Sequence, residues 1–349
     1  MKILSIGNLS AYGVSNTCLH RHWALEKIAE TIDAVDTAAN PIPFLYRLAN
    51  FCFQKGLPVR LPDTSGINKS IKSLVSAKEF DIVWIDKGLK VNRSTLKYIK
   101  KKLPKCKIVS FSPDNMTIRH NQSQNYLDCV PLYDATFTTK SYILDDLEKL
   151  GAKNVHFIHK TYEKKFHYPR ILTDDETERL GGDVGFIGAW EEERCQSILY
   201  LADNGIKVKV FGDHGWTKYI GYSPNLTINK GLFSDDYPKA LQAFKISLCF
   251  LRKMNLDQQT ARSIEIPACG GFMLAARTDE HRSLFEEGKE ADYFSSDEEL
   301  LQKCIYYLSH DDERAAIAKA GTLRCKVSGY SNEDTINKMI SQVLYGGDK

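Results

Sequence analysis

The sequence predicts an α/β chain of two Rossmann-like βαβ domains facing each other across a cleft, and three observations carry that prediction. Short apolar runs rich in Ile, Val and Phe alternate with amphipathic stretches of about 10–17 residues, the pattern of βα units feeding a parallel sheet. One polar stretch, residues 162–182, breaks the rhythm, after which it restarts. The length of 349 residues exceeds what one hydrophobic core comfortably organises and suits two.

In the first domain, residues 1–165, strands are expected at 2–6, 81–85, 107–111, 135–138 and 155–159. The helices between them are expected at 15–32, at 68–77 after the turn Asp63-Thr64-Ser65-Gly66, at 93–102 stopping before Pro104, and at 141–150 ending at Gly151. Residues 162–182 read as a linker, because they are polar, contain Pro169 and close on Gly181-Gly182. The second domain, 183–330, is expected to carry strands at 183–187, 207–211, 225–228, 246–250 and 272–275, with a helix at 191–203. Helices at 297–308, 311–326 and 332–344 end the chain, the first two opened by Asp297 and Asp311. The last, within 331–349, is expected to pack back onto the first domain.

Apolar residues at 43% and charged residues at 26% describe a chain that folds throughout. Nine scattered cysteines without a C-x-x-C pair read as reduced, buried thiols. With no secretory-type apolar run at the amino terminus and no apolar stretch of about 18 residues, the expected compartment is the cytoplasm. Residues 1–180 hold 27 Lys and Arg against 19 Asp and Glu, and 181–349 hold 20 against 25. The basic half includes Lys97, Lys100, Lys101, Lys102, Lys105 and Lys107, which suit a peripheral contact with an anionic membrane or a phosphorylated acceptor, or simply a solvated helix face. Nucleic acid is not expected as a partner, since the cluster has no interleaved aromatic platform.

The chemistry concentrates between Ser247 and Ala276, where a buried strand leads through a polar loop into a helix, a Gly-Gly turn and another buried strand. That arrangement aims a helix amino terminus near Gln259 and Thr260 at the strand ends, a place where backbone N–H groups bind a diphosphate. Arg262 adds a guanidinium fork, and Glu265, three residues on, is placed to accept ribose hydroxyls. The plain alternative is an Arg262–Glu265 ion pair within the helix, worth a few tenths of a kcal/mol. Gly188 and Gly212 end strands where backbone can approach a ligand, Trp190 could cover a base or sugar or simply pack, and Gly270-Gly271 cap the helix.

The run from Asn255 through Asp257-Gln258-Gln259-Thr260-Ala261-Arg262-Ser263-Ile264-Glu265-Ile266-Pro267-Ala268-Cys269-Gly270-Gly271 resembles the donor-binding segment of the spore-maturation (CgeB-like) glycosyltransferases, relatives of the GT-B group. That group carries two acidic residues eight positions apart, the second followed by Ala-Cys-Gly, as Asp257 and Glu265 are here. The resemblance continues through Arg277–His281, 294–300 and 328–331 and is weaker in the first half, chiefly at 81–88 and Asp114. It implies a GT-B-type transferase with a nucleotide-diphosphate sugar as donor substrate, Glu265 on the ribose, Arg262 on the phosphates and Asp257, in place of the usual glutamate, near the sugar. It also implies no metal and no further cofactor, and a glycan, lipid-linked or other hydroxyl acceptor.

On the acceptor side, Gly7, Asn8 and Gly13 lie in the loop after the first strand, whose glycines are six apart and so lack the dinucleotide fingerprint. Lys87 follows the second predicted strand. For a general base Asp114, after the strand at 107–111, is the best-placed candidate, followed by His120, His20, His22 and Asp86. An isolated aspartate after a strand is commonly a turn residue. The rival readings are a nucleotide-sugar epimerase or hydrolase, and a non-catalytic nucleotide-sugar-binding protein.

Overall fold

The computed structural model describes residues 1–11, 13–38 and 42–346. They form two compact units, the first from Met1 to His159 together with the C-terminal helix from Glu333 onward, the second from Lys160 to Asn332.

The first unit is built on strands β1 (Lys2–Gly7), β2 (Thr31–Asp36), β3 (Ile82–Asp86), β4 (Lys107–Ser112), β5 (Ala135–Thr138) and β6 (Val155–Phe157), all parallel, in the order β2-β1-β3-β4-β5-β6. Both faces of the central strands are covered, which is why β1, β3 and β4 read as continuous apolar runs. Leu4, Ile6, Val83 and Ile85 face helices Ile67–Ala77 and Arg93–Lys102. The alternating residues Ile3, Ile82, Trp84 and Phe111 face helix Thr17–Ile28 and the terminal helix Asn332–Tyr345, which contributes Ile336, Met339 and Ile340.

Three local expectations fail here. The helix expected at 15–32 is Thr17–Ile28, because Ala29 turns extended and the chain enters edge strand β2. Only Val35 of β2 is buried, so the strand carries no apolar run to announce it. The helix expected at 141–150 is a 3₁₀ turn Ser141–Ile143 followed by Leu144–Lys149, and helix Phe44–Gln54 was not anticipated.

The second unit holds β7 (Gly182–Ile187), β8 (Val208–Gly212), β9 (Leu226–Lys230), β10 (Phe244–Cys249), β11 (Met273–Ala276) and β12 (Asp292–Phe294), again parallel, in the order β12-β11-β10-β7-β8-β9. The segment expected to be a linker is instead packed into this unit. Tyr162 bridges to Ser331, Thr173 and Glu176 form a reciprocal capping box, and helix Asp174–Leu180 buries Leu180 completely. Its polarity reflects an exposed helix face, not a free tether. All nine cysteines are free thiols, seven of them buried.

Gly271 shows how closely the layers approach. A Cβ there would stand 2.3 Å from the Leu241 carbonyl oxygen, a backbone atom that cannot turn aside. Gly271→Ala should therefore cost about 1–3 kcal/mol, read as a lowered melting temperature, and an unchanged one would contradict the packing.

Candidate functional site

In an open parallel sheet, ligands gather at the carboxyl ends of the strands where the strand order reverses. In the second unit that point lies between β7 and β10. From β7 the chain passes through Gly188-Ala189-Trp190 into helix Glu192–Asp203, and from β10 through a polar loop into helix Arg262–Ala268.

Two arginines meet there. Arg194 and Arg262 place their guanidinium carbons 5.6 Å and 5.8 Å from the centroid of one ring, that of Phe186. Arg194 is 3% exposed and donates to the Ala189 and Leu251 carbonyls and to Glu191. Burial first, and the neighbouring charges of Arg262 and Arg252, push its pKa down from the usual arginine value against the pull of Glu191. Among the described residues, the buried Nε atoms of both Arg194 and Arg262 find no hydrogen-bond acceptor. Two like charges with unspent, shielded donors form a receptor for an anion. The helix is only seven residues long, so this charge rests on the guanidinium groups far more than on the helix terminus expected from the sequence.

Glu265 and Arg262 do not turn toward each other. Glu265 is 4% exposed, and its Oε2 accepts from the Tyr237 hydroxyl at 2.5 Å. Burial, then the Glu265 charge, raise the Tyr237 pKa well above 10, so the phenol stays protonated and donates. His167 Nε2 stands 3.5 Å from Glu265 Oε1. That contact is not an ion pair at neutral pH, because burial, and after it Arg170, lower the His167 pKa to about 3. Its Nδ1 accepts from the Glu163 amide, which leaves the ring proton on Nε2, facing the carboxyl group. The carboxylate expected to take ribose hydroxyls is thus enclosed, with the Tyr237 hydroxyl donating to one oxygen and His167 Nε2 3.5 Å from the other.

The loop between β10 and the helix is held from beneath. Ser263 Oγ accepts from the Thr260 amide and pairs with His281 Nε2 at 2.7 Å, while His281 Nδ1 meets the Ala276 carbonyl at 2.7 Å. Gln259, fully buried, accepts from the Lys160 amide and donates to Glu280, so its side chain holds the loop in place and is not aimed at a ligand. Thr260 contacts Cys249 through its hydroxyl. Asn255 and Asp257 are buried on either side of Leu256, which is held at φ 51°, a conformation costly for leucine and common beside ligand sites.

The glycines are explained by packing. Cβ atoms at Gly188 and Gly212 would run into Phe186 and Trp216, and Gly270, at φ 89°, ends the helix at the far end from Arg262. Gly271 lies beside it against Leu241. The exposed Lys218 lies over the ring of Trp190 at 3.9 Å.

In the first unit the reversal lies between β1 and β3. Gly7 is required there because a Cβ would meet Cys18 and Asp86. Asn8 and Gly13 belong to a self-wired loop, Asn8 accepting from the Ala11 amide and the Asn16 side chain; Tyr12 lies outside the described residues. Asp86 holds Arg21 in a buried 2.6 Å salt bridge. Next to it Lys87, at φ 60°, forms an ion pair with Asp114. The structure thus brings Gly7, Lys87 and Asp114 to one set of strand ends, while His120 is exposed on the 3₁₀ turn Arg119–Asn121. Among the described residues no three His, Cys, Asp or Glu side chains converge as a metal-holding cluster, and no helix is long and apolar enough to cross a membrane.

Residues 194–341 match the family profile described as "Glycosyl transferase-like". No protein of curated function matches the chain in sequence. Among solved structures, the chain resembles HepE of Anabaena in complex with UDP-glucose (TM-score 0.64, 14% identity, covering 99% of this chain and 100% of that one). It also resembles sucrose-phosphate synthase of Thermosynechococcus elongatus (0.66, 12%, 99% and 100%) and a putative UDP-N-acetylglucosamine 2-epimerase of Listeria monocytogenes (0.55, 14%, 100% and 97%). The fold is therefore of the GT-B type, two parallel six-stranded Rossmann-like sheets.

The sequence did not single out Arg194, Phe186, Tyr237, His167 or Ser263. Arg194 had one legible signal, its position just inside the helix that follows a strand-end glycine.

Neutral His167 makes stability depend on pH. The unfolded ring titrates near 6.5 and the folded one at about 3, so the unfolded chain binds more protons between those values. The stabilisation is complete above pH 6.5 and declines as pH falls below it. Replacing His167 by Gln should remove about 1 kcal/mol of the stability lost between about pH 7 and 5.5, seen as a flatter dependence of melting temperature on pH. Parallel curves for the two proteins would rule this out.

Proposed function

We propose that the chain is a nucleotide-sugar-dependent glycosyltransferase of the GT-B type, with its donor on the second unit and a glycan, lipid-linked or other hydroxyl acceptor on the first. The observation that carries this reading is the Arg194–Arg262 pair, two guanidinium groups over one phenyl ring with buried donors unused, at the strand ends where a parallel sheet receives ligands. A nucleoside diphosphate brings the charge they lack. The profile match across 194–341 supports the same reading, and the UDP-glucose complex of the structurally similar HepE favours uridine as the base. The run Asp257 to Gly271 supports the narrower kinship with the CgeB-like transferases.

In the reaction, the bond between the anomeric carbon and the diphosphate oxygen breaks, the acceptor oxygen bonds to that carbon, and the acceptor proton passes to a base. Arg262, with Arg194 behind it, compensates the charge growing on the leaving diphosphate, work that elsewhere falls to a divalent ion. Asp114 is the base we assign, oriented by Lys87. Glu265 takes a ribose hydroxyl on the lone pairs that the Tyr237 hydroxyl leaves open.

Replacing Arg262 by Leu should weaken UDP-sugar affinity at least about 10-fold, measured by calorimetry, while the melting temperature stays level or rises, because a like-charge neighbour of Arg194 is removed. Unchanged affinity would sink the assignment. For Glu265 the informative change is Glu265→Gln, since Glu265→Ala leaves the Tyr237 hydroxyl buried without an acceptor and confounds binding with folding.

Asp114→Asn should lower kcat by about 100-fold or more and leave donor affinity unchanged. Conversion of the donor without any acceptor would favour an epimerase or hydrolase instead.

A further inference from the structure

Helix Phe44–Gln54 in the first unit has its polarity reversed. At about 100° per residue, Phe44, Leu45, Leu48 and Phe51 fall within an arc of roughly 120°, and all four are 48–68% exposed. The opposite side carries Phe53, fully buried. The helix thus packs on the protein through Phe53, with Tyr46 half-buried under Lys90, and presents its apolar face outward, extended by Ile42 and Leu57, also more than half exposed. A contiguous apolar face of this kind on a folded protein marks a surface that something else covers.

The charge around it says what. No Asp or Glu occurs between Asp36 and Asp63, while Arg47, Lys55 and Arg60 lie in that interval. Arg47 and Lys55 are exposed on the helix and at its end, and the Lys55 ammonium lies over the Phe51 ring at 5.6 Å. Arg60 is paired with Asp128, which leaves Arg47 and Lys55 beside the apolar side chains. Such a face matches the boundary of an anionic bilayer, where the rings enter the acyl region and the ammonium and guanidinium groups reach back to lipid phosphates.

We propose that helix Phe44–Gln54 is an interfacial anchor that seats the first unit on an anionic phospholipid surface. Its attachment places that surface beside the candidate acceptor residues. Arg119 lies over the Phe53 ring at 4.1 Å and donates to the Phe53 carbonyl at 2.5 Å, and Gln54 donates to the Arg119 carbonyl. Arg119 belongs to the loop after β4 that also carries Asp114 and His120. The anchor stands independently of the transferase reading; resting on that reading, one step further, the acceptor is lipid-borne.

The test is co-sedimentation of the full chain, without nucleotide, with phosphatidylcholine vesicles containing roughly one-third phosphatidylglycerol, against pure phosphatidylcholine. The chain should pellet with the anionic vesicles, at least about 10-fold less with neutral ones, and less as salt rises. The triple change Phe44→Ser, Leu48→Ser and Phe51→Ser should abolish pelleting at an unchanged melting temperature, since these side chains are exposed. The milder pair Arg47→Gln and Lys55→Gln, which leaves the apolar face intact, should weaken it several-fold. The proposal is overturned if the unaltered chain stays in the supernatant or if both variants pellet like it. It is overturned equally if the chain is a dimer that the triple change splits, because the face then belongs to a second copy. UDP binding, measured separately, fails or holds on its own.

Discussion

Two positive charges held against the same phenyl ring, each with a buried Nε that finds no acceptor among the described residues, are the constraint around which the second unit is organised. Phe186 at the end of β7 supplies the ring, the helix after β7 supplies Arg194 and the helix after β10 supplies Arg262. Such a pair is unfavourable for the folded state in isolation, because burial and mutual repulsion both work against the charges. It persists because the surrounding frame is rigid: Arg194 is tied to two backbone carbonyls, and the loop before Arg262 is fixed by the Thr260–Ser263–His281 chain of hydrogen bonds. Local instability at a site held by a stable frame is the usual relation between a binding site and its scaffold.

The two units repeat one structural logic. Each sheet reverses its strand order next to its first strand, and each places a non-glycine residue in the left-handed region just beyond the central strand ends, Lys87 after β3 and Leu256 after β10. Lys87 pairs with Asp114, the base we assign, and Leu256 lies between the buried Asn255 and Asp257. The chemistry differs in sign. The second unit gathers two cations of which Glu191 meets only Arg194, whereas the first pairs each of its own, Arg21 with Asp86 and Lys87 with Asp114. A donor anion and a neutral hydroxyl acceptor ask for that division.

Much of this was legible in the amino-acid sequence because the central strands are buried on both faces. Runs such as 82–85 and 107–111 have no other reading, and the strand–loop–helix at 247–268 announced itself by its residue types. Elements at the margins were hidden for the opposite reason. β2 buries a single residue, β12 spans only three, and helix Phe44–Gln54 turns its apolar side to solvent, so none carries the pattern of an element packed on a core. Within the site, Arg262 could be picked out as a cation at the start of a helix. Its partner Arg194 lies 68 positions earlier, and Tyr237, which occupies Glu265, 28 positions earlier; sheet order alone brings them together. Gly188 and Gly212, read as openings for a ligand, also provide the clearance that Phe186 and Trp216 need.

The central claim is that the β7 and β10 strand ends hold a nucleoside diphosphate by its charge. It is tested most directly by a crystal structure of the chain with UDP bound. The account predicts diphosphate oxygens about 3 Å from the Arg262 guanidinium, with its Nε now donating to one of them. A nucleotide bound elsewhere, with Arg262 Nε still lacking an acceptor, would contradict it.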